Sequence, residues 1–369
     1  MLAFRMSALA ASYRELGSPD KAVVLNQQAV AIGEKRLGEN HPDLSSLYGG
    51  LAASYSALDD DEKALPLREK ALAIARTSLE EDHPDIAVAL DNLASTYHAL
   101  DRIEEAAALE EEALRITTAS RGREHPETAS RMGSLAVMYR LLERTEEALG
   151  LDREALVITQ RIYGPYQRDV AVRLGGLANS LMALDRTDEA VPLLLRAVRI
   201  SRDTFGDEHL DVAIGWDRLG RAYRTLERYD EAVEAFRNAV MVTQKALHRD
   251  HIDVAFRLSE LAEVLTELGR HEEALPLLKR ALRIEELEYG RDAAELLDRL
   301  DQLVETNGAA GHDDVAITYQ RRYLDITISL RGATSVEAAN AHGHLGHLFY
   351  RLGRYAEGIP HEEAALEIT

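Results

Sequence analysis

The sequence predicts an all-α chain, an alpha-alpha superhelix (a solenoid) of about nine helical hairpins. Three observations predict it. A His-Pro-acid phrase recurs at His41-Pro42-Asp43, His83-Pro84-Asp85 and His125-Pro126-Glu127, each 42 residues after the last. Carried forward, the same register meets Asp169, His209 with Asp211, His251 with Asp253, Glu295 and Glu337 without a slip. And in that register leucine stands at Leu9, Leu51, Leu93, Leu135, Leu177, Leu219, Leu261, Leu303 and Leu345. A period in this range is the mark of a stacked repeat array, in which each unit contacts only its neighbours.

Helix A opens each unit. In 86–100 the residues Leu90, Leu93, Ala94 and Tyr97 fall at i, i+3, i+4 and i+7, one stripe of a helix. Pro84 sits at the start, where a missing N–H costs nothing, and Asp85 complements the positive end of the helix dipole. The residue after the repeat leucine is small (Ala10, Ala52, Ala94, Ala136, Ala178, Gly220, Ala262, Gly346), except at Val304. A short polar turn, Asp101-Arg102 in this unit, breaks the pattern.

Helix B follows, with Ala106, Leu109, Ala113 and Ile116 on one stripe. Small residues recur at its equivalents of Ala106 and Ala113, so that helices can approach closely while Leu and Tyr fill the gaps. A lone hairpin cannot bury this stripe, so neighbours must stack. Acidic pairs such as Glu104-Glu105, Glu146-Glu147 and Glu272-Glu273 recur where helix B begins and read as dipole partners.

The Leu-Ala-x-x-Tyr of helix A, the Glu-Ala that opens helix B and the later Ala-Leu resemble tetratricopeptide repeats. Trp216 stands where that family often places Trp. The 42-residue period, the Gly-x-x-His-Pro-Asp linker and the prolines of helix B (Pro66, Pro192, Pro276 and Pro360, at one repeat position) are similar to the kinesin-light-chain subtype. The resemblance spans essentially the whole chain, 1–369, as a single solenoid. It implies a fold far more than a function, because one fold hosts many partners.

Departures from the pattern concentrate at 293–334. Asn307 replaces the Tyr, Ala310 a Leu and Tyr323 an Ala, and Asn307-Gly308 with Gly311 reads as a loosened turn. This unit is expected to be locally less stable. The chain opens within a helix A and stops at Ile368-Thr369, equivalent to Ile116-Thr117 inside helix B. The expectation is a module of a longer protein, or ends that pair with another copy.

Composition narrows the function. The formal net charge of −21 disfavours nucleic acid and anionic membrane surfaces as partners. There is no Cys, hence no thiolate nucleophile and no cysteine metal site, which suits a reducing, cytoplasmic setting. No signal peptide is expected from the opening residues, and no run of eighteen apolar residues occurs in the sequence. No phosphate-cradling, zinc-protease or nucleophile-elbow motif occurs, so no enzymatic activity and no cofactor is expected. The His-Pro histidines sit one per linker and read as helix initiation. His344 and His347 share a helix face, but without further ligands no metal site is assigned, and His342 falls at a packing position.

By resemblance, ligands lie along a concave groove lined by the A helices. The candidate ligand-binding residues there are Asn92, Ser95, His98, Arg140, Arg173, Asn179, Arg218, Arg221, Arg224 and Arg257. Arg suits bidentate contact with carboxylate or phosphate, and Asn can bond the backbone of an extended peptide. Two readings of the stripe stand. One is an acidic or phosphate-bearing peptide held mid-groove; the other is an i,i+4 pair, Asp217 with Arg221, on a solvated surface. The expected role is a protein- or peptide-binding scaffold or sensor. The alternatives are a regulatory array attached to a catalytic domain (NTPase or protease-like) and a structural solenoid that associates end to end.

Overall fold

The structure is a computed structural model that describes residues 1–38 and 41–368. Thr369, the last residue of the repeat register, lies outside them. The described residues form eighteen α-helices, one 3-10 turn and no strand, the number that nine two-helix repeats require. None of these helices is long and apolar enough to cross a membrane.

The chain divides into two compact units, Met1–Ala190 and Val191–Thr369, with the division inside α10. The first contains α1 (Leu2–Glu15), α2 (Pro19–Leu37), α3 (Asp43–Ser56), α4 (Asp61–Ser78), α5 (Pro84–Ala99), α6 (Ile103–Arg121), α7 (Pro126–Leu141), α8 (Thr145–Tyr163) and α9 (Arg168–Met182), then the first turn of α10 (Thr187–Phe205). The second continues with α11 (Leu210–Thr225), α12 (Tyr229–Ala246), α13 (Ile252–Glu267), α14 (His271–Tyr289), the 3-10 turn Ala294–Leu296, α15 (Leu297–Ala309), α16 (Asp313–Arg331), α17 (Val336–Arg351) and α18 (Tyr355–Ile368). Within each unit successive helices pack as antiparallel hairpins, α5 on α6 or α13 on α14, and each B helix packs on the next A helix.

The small-residue columns lie at the centre of these contacts. Ala22, Ala64, Ala106, Ala148, Ala190, Ala232, Ala274 and Ala316 are all fully buried. A side chain larger than methyl would push the paired helices apart; at Gly220 even a Cβ would come within 2.8 Å of the Phe236 ring. Eight of the nine repeat leucines are buried, and only Leu9 on α1 is half-exposed.

His83, His125, His209 and His251 are N-caps, and His41, one residue before the N-cap Pro42, makes the same bond. The Nδ1 atoms of His41, His83, His125, His209 and His251 each accept the backbone N–H two residues on, at 3.2 Å. This satisfies one of the orphan donors of helix A. The helix-B prolines Pro66, Pro192 and Pro276 sit inside their helices on the exposed side, where solvent serves the carbonyl they leave without a partner.

The turn between helix A and helix B is one construction used nine times. The residue at 17 and every 42nd residue after it has a left-handed backbone: Gly17, Asp59, Asp101, Glu143, Asp185, Glu227, Gly269, Gly311 and Gly353. The next residue's N–H returns to the carbonyl five back, as from Arg102 to Tyr97 and from Arg228 to Tyr223, both at 2.8 Å. This is a Schellman closure, whose left-handed position ordinarily belongs to glycine. Glu143 and Glu227, at φ 59° and 56°, hold it with a side chain that gains nothing from this conformation.

The degenerate unit is therefore less disturbed than its composition suggests. Gly311 occupies the common left-handed position and does not loosen the turn, while Gly308 lies inside α15. The irregularity is confined to helix A of that unit. There α15 has 13 residues behind a 3-10 turn, against 19 in α16. Asn307 is buried and donates back to the Leu303 carbonyl at 2.6 Å.

Candidate functional site on the A-helix faces

Arginines at the start of helix B follow a rule that composition alone hides. Arg102, Arg144, Arg228 and Arg354 each lie over the aromatic ring five residues back (Tyr97, Tyr139, Tyr223 and Phe349), with the guanidinium 3.7 to 4.9 Å from the ring centroid. Each also pairs with the glutamate three residues on. The ring quadrupole and the carboxylate hold these guanidinium groups at the hairpin turns, away from the face the A helices present.

On that face the expected residues divide by environment. In the first unit Asn92, Ser95 and His98 on α5 are exposed and Asn179 on α9 is half-buried. Arg140 turns inward, with Nη1 2.9 Å from Asp152 Oδ2 and 3.0 Å from Ser180 Oγ. Arg173 is half-buried and lies across Gly133, where any Cβ would collide with its guanidinium, and Nη2 reaches Ser130 Oγ at 3.5 Å. Burial holds both guanidinium groups below their ordinary pKa, partly offset by Asp152.

In the second unit Arg218 is half-buried on α11 and Arg257 is buried on α13, its Nη1 donating to the Asp253 carbonyl at 3.3 Å. Arg221 and Arg224 reach across to the next A helix. Arg221 Nη2 is 3.3 Å from Asp217 and 3.4 Å from Glu260. Arg224 donates to Glu263 at 2.7 Å and to Glu267 through both Nε and Nη2. Bonding to these two glutamates pushes the Arg224 guanidinium up, and burial pushes the Glu260 and Asp217 carboxyls up. The expected i,i+4 pair thus exists, but most of the cross-linking runs between repeats. An open cleft of about 490 Å³ is lined by Arg221, Arg224, Thr225, Glu227, Tyr229, Glu260 and Glu267. The exposed apolar residues Ile214 and Phe256 share this face, with the Arg221 guanidinium 5.5 Å from the Phe256 ring centroid.

Two periodic columns were not recognised as such in the sequence, although Arg173 and Arg257 of the first were read as groove residues. The first places Arg131, Arg173, Arg257 and Arg299 at one position of helix A. All but half-buried Arg173 are fully buried, and they fill space between neighbouring helices. Arg131 meets Asp91 at 3.2 Å and donates to Thr117 Oγ1 at 2.8 Å; Arg299 meets Glu285 at 2.9 Å. The second runs along helix B: Asn26, Arg68, Glu110 and Asp152 in the first unit, then Leu194, Phe236, Leu278 and Gln320. All eight are buried. Asn26 bonds Ser54 and the Gly50 carbonyl, Asp152 bonds Ser180 and Arg140, and Gln320 bonds the Ala341 carbonyl. Burial and the adjacent Asp91 carboxylate push the Glu110 carboxyl up to about 8, with Arg131 opposing. Aligning the chain at its own period exposes both columns: the helix-A arginines recur where other repeats hold Leu47, Ala89, Gly215 and Ala341, and the helix-B polar residues stand where later repeats hold Leu or Phe.

Comparison with known proteins follows the same lines. Tetratricopeptide repeat models match residues 3–77, 45–119, 169–244 and 253–329, with further matches at 128–169 and 218–286. No curated protein matches. Among solved structures, a variant of the nearly identical TPR-like repeats of a Podosopora anserina protein assigned as a kinesin light chain is 28% identical. It covers 54% of this chain and 94% of its own, with a TM-score of 0.51. The apo form of RapI covers 100% of this chain and 97% of its own at 14% identity and a TM-score of 0.58. A Rap protein complexed with Competence and Sporulation Factor covers 99% and 97% at 15% identity and a TM-score of 0.55. With the matched segments spanning most of the sequence and the helical hairpins in an unbroken 42-residue register, the chain belongs to the tetratricopeptide repeat family.

Proposed function

We propose that this protein is a binding module that holds a protein or an extended peptide against the faces its A helices present within each unit. The observation that carries the reading is the character of those faces. Exposed apolar residues (Val88 and Val172 in one unit, Ile214 and Phe256 in the other) alternate with exposed or half-buried Asn, Ser, His and Arg. Apolar contact supplies affinity, and a few placed polar groups fix orientation. The Rap protein complexed with Competence and Sporulation Factor shares this fold at low identity and illustrates the use proposed here.

The finer reading is an acidic or phosphate-bearing peptide seated at Arg221 and Arg224 in the second unit. Its anionic groups would exchange with Glu260, Glu263 and Glu267, which already neutralise the two arginines. The cleft of about 490 Å³ beside them supports this reading, and the prior pairing sets its cost. Peptide-array binding of the protein against Arg221→Glu with Arg224→Glu tests both levels. Loss of acidic binders alone supports the seat; an unchanged profile removes it and leaves the binding module intact. Absence of any peptide binder counts against the module itself.

Exposed apolar residues on the outermost helices favour a second reading, end-to-end association. Leu2, Leu9 and Leu16 stand out at α1, and Tyr350, Ile359 and Leu366 at α17 and α18. Light scattering across a hundredfold concentration range decides it, a constant monomer mass being the adverse result.

A further inference from the structure

A cleft in the first unit has a charged group in its lining that has no counter-ion among the described residues. It lies between the A helices α3 and α5, has a volume of about 510 Å³, and is floored by Arg68, Ala71 and Ala75 of α4 and by Leu79 just past its end. Arg68 is 8% exposed. Its guanidinium donates to the Asn92 carbonyl, Thr96 Oγ1 and, at 3.2 Å, Ser56 Oγ, all of them neutral. Among the described residues no carboxylate lies within ion-pair distance of it. Asp61 and Asp91 act only from farther away, and Asp91 is held by Arg131 at 3.2 Å. Of the other buried arginines, Arg131 and Arg299 each meet a carboxylate, as does half-buried Arg140, whereas Arg257 in the second unit donates to the Asp253 carbonyl. A buried charge with hydrogen bonds but no ion pair is costly, and an incoming anion relieves that cost.

The cleft exists because two repeat positions are reduced here. Ala89 stands where Arg131, Arg173, Arg257 and Arg299 fill the equivalent space. Gly49 stands where Asp91 meets Arg131 in the next repeat, and nothing lies within 4 Å of the position its Cβ would take. The filling ion pair of the neighbouring repeat has been removed from both sides, while a guanidinium is retained at the floor.

The charges at the cleft limit what fits. Asp43 and Asp85 line it at the N-terminal ends of α3 and α5. Asn92, which presents its carbonyl to Arg68, is seven residues along α5 from Asp85, or roughly 10 Å at the helical rise. Two carboxylates at one end disfavour a dianionic phosphate and favour a cation there. Between these ends the walls carry Val88 and Ala89 on one side and Ser45, Ser46 and Gly49 on the other, over the apolar floor residues Ala71 and Ala75.

We propose that this cleft is a seat for one Asp or Glu side chain of an extended peptide, with Arg68 as its counter-charge and a Lys or Arg of the same peptide directed to Asp43 and Asp85. At about 3.3 Å per extended residue the two peptide residues lie two to four positions apart. The proposal rests on the reading of the protein as a peptide-binding module and specifies which peptide.

The probe is an array of random peptides, N-acetylated and C-amidated so that chain termini carry no charge, screened with the full chain. The expected binders pair an acidic with a basic residue at that spacing. In fluorescence anisotropy a labelled binder should lose at least tenfold in affinity on Arg68→Met. It should lose as much on Ala89→Arg, which restores the residue other repeats carry and fills the cleft. Circular dichroism establishes folding, and the second variant keeps the test decisive should Arg68→Met unfold. Three results overturn the proposal while leaving the binding module standing: binders without an acidic preference, a preference for phosphopeptides over carboxylates, or acidic binding that survives both substitutions. A complete absence of peptide binders overturns both.

Discussion

Arg140 of α7 and Asp152 of α8 form an inward-facing ion pair at 2.9 Å, and Ser180 of α9 closes it by bonding both partners. Three successive helices are thereby joined through one carboxylate that is 2% exposed. Burial pushes the Asp152 carboxyl up, while Ser180, Arg140 and Arg173 pull it down. Removing one member strands the other. Asp152→Ala should cost about 3 kcal/mol, and Asp152→Leu combined with Arg140→Met should recover more than half of that, since later repeats hold Leu or Phe in the same column. Urea unfolding of the single and double variants measures both, and equal losses would mean the pair contributes no coupling.

The left-handed turn predicts gains in place of losses. Glu143→Gly and Glu227→Gly should each stabilise the protein by roughly 0.5–1 kcal/mol, because glycine adopts the conformation freely. Gly269→Val, with a β-branched side chain at φ 70°, should destabilise by about 2 kcal/mol. Thermal melts of the three variants should order them on opposite sides of the parent.

Glu110 predicts a pH dependence with a definite sign. Its folded-state carboxyl, raised to about 8, lies above the ordinary 4.5, so the folded protein binds the extra proton between those values. The stability attached to that proton is fully present below about 4.5 and is lost as pH rises through 8. Glu110→Gln should flatten this part of the profile, with a gain on the order of 2 kcal/mol at pH 8 and little at pH 4. Chemical denaturation at several pH values reads it; parallel profiles for parent and variant would refute the assignment.

The histidine caps predict a graded response. His83→Ala should cost about 1 kcal/mol by exposing an orphan N–H of α5, and His83→Asp should restore most of it. A common loss for both substitutions would show that His83 acts through linker packing.

In the eighth repeat, backbone amides of α15 should exchange with solvent sooner than those of α13 or α17. Asn307→Leu should slow them, because it removes a buried carbonyl oxygen that has no partner among the described residues. Hydrogen exchange by mass spectrometry resolves the three helices.

Most of the fold was legible in the residues, since a 42-residue period carries helix boundaries, packing columns and linkers together. Where the reading stopped, the cause is physical. Periodicity reports which positions are buried and not what charges meet there. Arg140, Arg221 and Arg224 were read as a surface open to ligands. Their carboxylate partners, Asp152, Glu260 and Glu267, come from other helices 12 to 43 residues away, as with Arg140 and Arg224. The left-handed turn was missed because five of its nine positions carry Asp or Glu instead of Gly. Arg68 was missed because a lone Arg at a helix-B position has no local signature until its column is compared with Leu194, Phe236 and Leu278.

That column has a consequence for assembly. The hairpins of the first unit bury nearly interchangeable apolar surfaces, so apolar packing alone would let one dock in another's place during folding. Asn26, Arg68, Glu110 and Asp152 give each junction a different polar complement. A hairpin that settled in the wrong berth would bury its polar group against the wrong partner at a cost in free energy. The four residues act as address labels in a chain whose repetition would otherwise leave the order of its parts undefined.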